Sequence, residues 1–315
     1  MGATRPPQTS DRLPVVAVVG PTAAGKTELS LDLAERVGGE VVNTDSMQLY
    51  QGMDIGTAKL PAAQRRGVPH HLLDVLDVTE SASVAEFQRW ARAVVADCHR
   101  RGVVPVLVGG SALYTRAVLD RFEFPGTDPD LRARLEAELA EHGAEALHGR
   151  LRERDPDAAA RIIPSNGRRI VRALEVVELT GRPFRASLPQ QRYVYDYAVQ
   201  VGVDIPRPVL DERIAARVQS MWDAGLVEEV RRLAGRGLRE GRTASRALGY
   251  QQVLAFLDGQ LTEEQAHERT VTGTRRFARR QDSWFRKDPR ITWVGWDNPE
   301  RVEVAERAVR AVVQV

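Results

Sequence analysis

The stretch Gly20-Pro21-Thr22-Ala23-Ala24-Gly25-Lys26-Thr27 confines this chain to few architectures. Its G-x-x-x-x-G-K-[ST] spacing is that of a phosphate loop, which works only where a strand turns sharply into a helix. The flanks supply both. Leu13–Val19 is a β-branched apolar run that reads as a buried strand, and Glu28–Val37 places Leu29, Leu33, Ala34 and Val37 at helical spacing before Gly38-Gly39. Backbone N–H groups and the positive helix end then face one concavity, suited to phosphate oxygens. Lys26 is expected to reach the outer phosphate, and the Thr27 hydroxyl to hold Mg²⁺.

The first 120 residues continue this strand–helix alternation. Glu40–Asn43 reads as a short strand ending at Thr44-Asp45, and His70–Asp74 as an apolar run closed by an acid. Helical periodicity spans Ser83–Arg101, with Ser81 or Ser83 as N-cap, and Val103–Val108 is a further buried strand running into Gly109-Gly110-Ser111. Such βαβ rhythm implies a parallel sheet with ligands at the carboxyl ends of its strands. From about Pro125 the texture changes: Leu131–His142, Gly143–Arg154, Asp157–Ile163 and Asn166–Thr180 are helical patterns with no strand between them. Strand character returns at Tyr193–Val203 and at 291–296, with helices over Val209–Ala224, Val227–Arg236, Thr262–Arg286 and Glu300–Val313. The expected fold class is α/β, a P-loop NTPase-like parallel sheet flanked by helices. Residues 1–124 and 186–315 would form the core and 125–185 an all-helical insertion domain.

Composition narrows the function classes. With 315 residues, 43% hydrophobic and 28% charged, the chain has ample material for a globular core. No apolar run approaches the ~20 residues of a membrane span, and Met1–Arg12 lacks a signal-peptide apolar region, so a cytoplasmic enzyme is expected. The single cysteine, Cys98, leaves no partner for an internal disulfide and no multi-cysteine zinc site. Of 45 basic residues only Lys26, Lys59 and Lys287 are lysines. That preference reflects genome composition more than an RNA surface. A lysine kept in the loop of such a chain marks a place for a compact ammonium.

A nucleotide-hydrolysing relative of this loop needs a second strand ending in an Asp that holds Mg²⁺. Val103–Val108 ends in Gly109-Gly110-Ser111 with no carboxylate, and Asp74 is a substitute only after a short run. Asp45 is better placed, at the carboxyl end of the strand after the loop helix and on the same sheet edge as Lys26 and Thr27. There it could hold Mg²⁺ or accept a proton from a nucleophile; an Asx turn at a strand end is the alternative.

The ordered set of segments resembles the bacterial tRNA dimethylallyltransferases (tRNA isopentenyltransferases) over roughly residues 15–287. It comprises Gly20–Thr27, Asp45–Lys59, His70–Asp74, Gly109–Tyr114, Arg169–Val176 with Thr180–Arg182, Gly225–Val230, Ala247–Tyr250, and Thr274–Gln281 with Trp284. The loop alone is common to many unrelated proteins, whereas Asp45–Lys59 is specific. The resemblance implies transfer of a dimethylallyl group from dimethylallyl diphosphate to N6 of the adenosine 3′ of the anticodon, releasing diphosphate. It implies Asp45 as base, Gly20–Thr27 and Arg217 as diphosphate ligands with Arg213 beside Arg217, and Mg²⁺ on Thr27, with Asp45 as a further candidate ligand.

For the tRNA anticodon stem-loop, the resemblance points to Asp45, Ser46, Met47, Gln48 and Ser111, which stands where the family usually has threonine. Further candidates are Arg132, the helix start Asn166-Gly167-Arg168-Arg169, and Arg275 and Arg279 on a basic stripe over Arg269–Lys287. Phe277 and Trp284 on that stripe are expected to pack into the core. A monomer without obligate protein partner is the plain expectation. An adenylate isopentenyltransferase or a small-molecule kinase on the same loop is the alternative activity, and a non-catalytic phosphate-loop switch would need a base-specificity motif that is not seen.

Overall fold

A computed structural model describes residues 13–184 and 191–313. In chain order, β1 (Val15–Val19) is followed by α1 (Lys26–Val37), β2 (Gly39–Asn43) and β3 (His70–His71). Next come α2 (Val84–Arg101), β4 (Val104–Gly109) and α3 (Ala112–Leu119). Helices α4 (Pro129–Arg154), α5 (Pro156–Arg161) and α6 (Gly167–Thr180) precede β5 (Ala198–Asp204). The chain continues through α7 (Arg207–Asp223), α8 (Leu226–Ala234), α9 (Tyr250–Leu257), α10 (Glu263–Phe285), β6 (Ile291–Gly295) and α11 (Arg301–Val313).

All strands pair in parallel, in the order β3-β2-β4-β1-β5-β6. Val15, Ala17 and Val19 of β1 join one hydrophobic core, while Val16 and Val18 join another on the opposite face. A strand covered on both faces is apolar at every position, which is why Val-Val-Ala-Val-Val is unbroken. β1 lies between the later strands β4 and β5, so the chain's excursions change direction beside its carboxyl end. That is where open α/β sheets bind ligands. A Cβ on Gly109 would lie 2.2 Å from Thr44 Oγ1, and that hydroxyl is 3.0 Å from Thr115 Oγ1. Glycine there lets the ends of β2 and β4 close up.

Two compact units emerge: residues up to Asp120 together with those from Arg192, and Arg121–Gln191. The second holds α4, α5 and α6 around its own core of Leu135, Leu147, Leu151, Ile170 and Leu174. Asp128 caps α4 through N–H bonds from Asp130 and Leu131, with Pro129 at the first helical position. Gly143, at φ 79°, interrupts α4 where two separate helices meet in the sequence pattern. The anticipated junction at 185–186 lies outside the described residues.

Three local expectations are corrected. β5 begins at Ala198; Tyr193–Tyr197 is irregular, joined to the end of α3 by a bridge between Tyr193 and Asp120. Helix α9 is unforeseen because eight residues, apolar on several sides, show no clear period. Phe277 and Trp284 are exposed, at 36% and 43%, while Ala278, Gln281 and Phe285 turn inward on α10. The buried row lies one helical position away from the two rings.

Candidate functional site

The phosphate loop turns on three residues of positive φ: Gly20 (138°), Ala23 (64°) and Gly25 (105°). A Cβ on Gly20 would approach Val203 O to 3.2 Å, so β5 crowds the loop's entry. Gly25 caps α1 without a side chain, leaving the first-turn N–H groups aimed into the loop. Ala23 carries strain that glycine would avoid, as is common where backbone must present N–H groups to a ligand. From α10, Gln281 reaches the loop: its Oε1 accepts from Thr22 N at 2.8 Å and its Nε2 donates to Gly110 O at 2.9 Å. One buried amide thereby joins the ends of β1 and β4.

Three cations converge here. Lys26 Nζ donates to Pro21 O at 2.7 Å, and burial, reinforced by Arg217, brings its pKa down to about 7. Arg217 on α7 donates to Thr22 Oγ1 at 3.5 Å; desolvation and then Arg213 push its pKa down. Arg213 lies one turn earlier, with its guanidinium 5.2 Å from the Trp296 ring centre. Neither arginine forms an ion pair among the described residues. The adjacent acid Asp211 instead pairs with Arg207 at 2.6 Å. A desolvated cluster of like charge is unfavourable alone and is relieved by an anion.

Asp45 faces this cluster. Burial raises its pKa, opposed by the N–H bond from Met47 and by Lys26. Its Oδ1 accepts from Met47 N at 2.9 Å, an Asx turn, and Oδ2 has no hydrogen bond among the described residues. Asn43 brackets the same residue, accepting from Asp45 N at 2.8 Å and donating to Asp45 O at 3.0 Å. Thus the turn geometry and a site role coexist in one side chain.

The segment after Asp45 is pinned from beneath. Buried Lys59 donates to Tyr50 O (2.9 Å), Asp54 Oδ1 (2.7 Å) and Asp74 Oδ1 (2.6 Å), so Asp74 is a lysine partner in this fold. Glu229, 2% exposed, accepts the N–H groups of Asp54, Ile55 and Gly56 at 3.1, 2.9 and 3.3 Å, and the Tyr250 hydroxyl at 2.5 Å. A Cβ on Gly56 would lie 2.4 Å from the Tyr250 ring. No local sequence pattern assigns a role to Asn43, Glu229, Tyr250 or Gln281. An acid on the buried face of amphipathic α8, among Leu226, Val230 and Leu233, was the available signal for Glu229.

Of the remaining candidates, Ser46, Met47 and Gln48 form the half-buried turn after Asp45, where Gln48 Nε2 donates to Thr57 O at 3.1 Å. Ser111 begins α3 without using its hydroxyl as a cap. Arg275 is tied to α7, donating to Asp211 O at 3.2 Å, whereas Arg279 is exposed. The other candidates belong to the helical unit. Asn166 caps α6 by accepting from Arg169 N at 3.2 Å, and Arg168 and Arg169 are exposed. A Cβ on Gly167 would meet Leu139 at 2.8 Å. Arg132 pairs with the fully buried Glu175. A separate cluster of Glu40, His71 and Cys98 gathers ligand atoms within 4.8 Å, but both Glu40 oxygens are held by Arg101 at 2.7 and 2.6 Å. Burial pushes the Cys98 thiol up to about 11, a poor metal ligand.

Residues 48–288 match the family model described as IPP transferase. A tRNA dimethylallyltransferase of Nocardioides sp. is 66% identical over 305 residues, covering 97% of this chain and 98% of the relative. One from Streptomyces griseus is 62% identical, covering 98% and 97%. Among solved structures, the tRNA isopentenylpyrophosphate transferase of Bacillus halodurans is 41% identical with TM-score 0.72, covering 96% of this chain and 97% of that one. A eukaryotic dimethylallyltransferase acting on tRNA is 26% identical with TM-score 0.79, covering 94% and 78%. Among the described residues no helix is long and apolar enough to cross a membrane.

Proposed function

The chain belongs to the IPP transferase family, and we propose that it transfers a dimethylallyl group from dimethylallyl diphosphate to N6 of the adenosine 3′ of the anticodon in tRNA. The observation that carries the chemistry is the cluster of Lys26, Arg213 and Arg217, without an ion pair among the described residues, around the phosphate loop and facing a half-buried Asp45. A diphosphate leaving group develops charge as its bond to carbon breaks, and preorganised donors offset that charge without reorganising. In this reading the N–H groups of Ala23–Thr27, with Lys26 and Arg217, hold the diphosphate, while the Thr22 N–H stays on Gln281. The Thr27 hydroxyl, a hard oxygen donor, would hold Mg²⁺, which would offset further diphosphate charge and leave Asp45 Oδ2 for the proton.

In the transfer, the N6 lone pair attacks the first carbon of the allyl chain. The carbon–oxygen bond breaks with its electron pair going to diphosphate, and an N6 proton passes to Asp45 Oδ2. Burial makes Asp45 more basic than an ordinary carboxylate, which favours this role. Asn43 and the Met47 N–H fix its direction, while Lys59 and Glu229 hold the segment behind it. The adenosine leaves the anticodon stack to reach the acid, at a cost of about a few kcal/mol offset by contacts to it and its neighbours. Ser46–Gln48 and Ser111, beside Asp45 and Gly110, are the proposed contacts in this unit; Arg132 and Asn166–Arg169 are those of the helical unit. The activity alternatives on the same loop, a kinase or an adenylate isopentenyltransferase, lack the support that the tRNA-acting relatives give. Radiolabelled dimethylallyl diphosphate offered with tRNA, AMP or no acceptor tests the reading: label enters tRNA alone, and label in AMP alone would overturn it.

A further inference from the structure

Helix α10 carries two large rings on its outside. Phe277 and Trp284 are 36% and 43% exposed, although their neighbours Ala278 and Phe285 are almost fully buried. Gln281, which holds the Thr22 N–H of the phosphate loop, lies four residues after Phe277 and three before Trp284. Residues at these spacings occupy adjoining rows of a helix, so both exposed rings flank the inward-turned row whose Gln281 touches the loop. Arg280 falls between them, its guanidinium 5.8 Å from the Phe277 ring centre, and Arg276 and Arg279 are exposed on the same helix. Water-facing rings interleaved with arginines are unfavourable for a solvated helix face and match the demands of unpaired RNA: phosphates for the guanidinium groups, base faces for the rings.

We propose that Phe277 and Trp284 are stacking platforms for two nucleotides of the substrate RNA that flank the extruded adenosine. This rests on the tRNA reading above. Seven residues of helix separate the rings by about 10.5 Å along the axis. Consecutive stacked bases are about 3.4 Å apart along a strand, so the two rings serve nucleotides already unstacked from each other. Extruding one adenosine creates such a pair. The rings thereby recover contacts that extrusion breaks, next to the loop where the leaving group sits.

The test pairs protein and RNA changes. Trp284→Ala and Phe277→Ala should each weaken binding of an anticodon stem-loop about tenfold, with Trp284→Phe recovering most of the loss. Affinity for dimethylallyl diphosphate should not change. The salt dependence of RNA binding should keep its slope, because no charge is removed, whereas Arg280→Ala should reduce it by about one. Abasic substitutions on either side of the target adenosine should weaken the unaltered protein's binding by a similar factor and cost the matching alanine variant nothing further. Strictly additive losses, or wild-type RNA affinity in both alanine variants, would overturn the stacking role. Loss of thermal stability with unchanged RNA affinity would make the rings packing residues and also overturn it. If abasic RNA binds the unaltered protein as well as intact RNA, the proposal fails without reference to any variant's folding. Label transferred to tRNA in the assay above, together with any of these negative results, would leave the function standing and remove only this inference.

Discussion

Two groups of half-buried cations in the sheet-bearing unit are built on opposite principles. Arg290 is enclosed by acids: Nη1 meets Asp120 Oδ1 at 2.7 Å, Nη2 meets Asp288 Oδ2 at 2.6 Å, and the guanidinium lies 4.0 Å from the Tyr193 ring centre. Asp120, fully buried, also takes Arg116 Nε at 2.8 Å, and Gln200 donates to Asp288 at 3.2 Å. Every desolvated charge there has an internal partner, and these interactions keep the Arg290 pKa raised despite burial. Around the phosphate loop, Lys26 and Arg217 are desolvated against each other, and both pKa values are lowered. The first arrangement is complete and serves the fold. The second is completed only by an anion, so it marks the place where a ligand's charge belongs.

The sharpest break between the two is stability. Arg290→Met leaves buried Asp288 without its cation and Asp120 with Arg116 alone, and should lower unfolding free energy by about 3–5 kcal/mol in urea titrations. A loss below about 1 kcal/mol would end the claim that this group is structural. On the ligand side, Asp45→Ala should slow single-turnover prenyl transfer by about 10² or more while leaving stem-loop affinity near normal. Equal losses in rate and affinity would recast Asp45 as a recognition residue. Arg217→Met should weaken diphosphate binding by about 10- to 100-fold in calorimetry, yet leave the urea midpoint unchanged or raised, because it removes an uncompensated charge. A fall in the midpoint would place Arg217 with Arg290.

The smallest effect is a proton. Free Lys26 titrates near 7, and a bound diphosphate raises that value by stabilising the ammonium. Below pH 7 the ammonium is already formed and this group adds no pH dependence. Above pH 7 binding must take up its proton, so affinity declines by up to about tenfold per unit. Calorimetry at pH 8 in buffers of different ionisation enthalpy should find close to one proton absorbed by the protein per diphosphate bound. No uptake beyond that of the ligand itself would place the ammonium outside the anion's reach.

The contrast also separates what could be read along the chain from what could not. The loop Gly20–Thr27 was legible because a strand, a glycine-bounded turn and a helix are local features, whereas Arg213 and Arg217, four apart on one helix, were singled out by the family resemblance. Asp45 was legible as the residue ending a strand of a parallel sheet. Glu229 and Gln281 were not, because each acts on backbone far along the chain: Glu229 on the N–H groups of 54–56, Gln281 on Thr22 and Gly110. No spacing rule connects positions separated by 173 or 259 residues. Phe277 and Trp284 went astray for a related reason. Apolarity says that a ring can be buried, while the row of α10 that meets the sheet is decided by packing.

By itself the sequence determined the parallel α/β class, the phosphate loop and the family, since these rest on local pattern and ordered segments. Tertiary structure alone decided which charges are paired. Arg290 and Arg217 are the same residue type, both desolvated; one finds Asp120 and Asp288 across the fold, and the other, among the described residues, lies beside Lys26 and Arg213 with no acid paired to it. Charge compensation depends on distance in space, and that distance is set when the strands assemble.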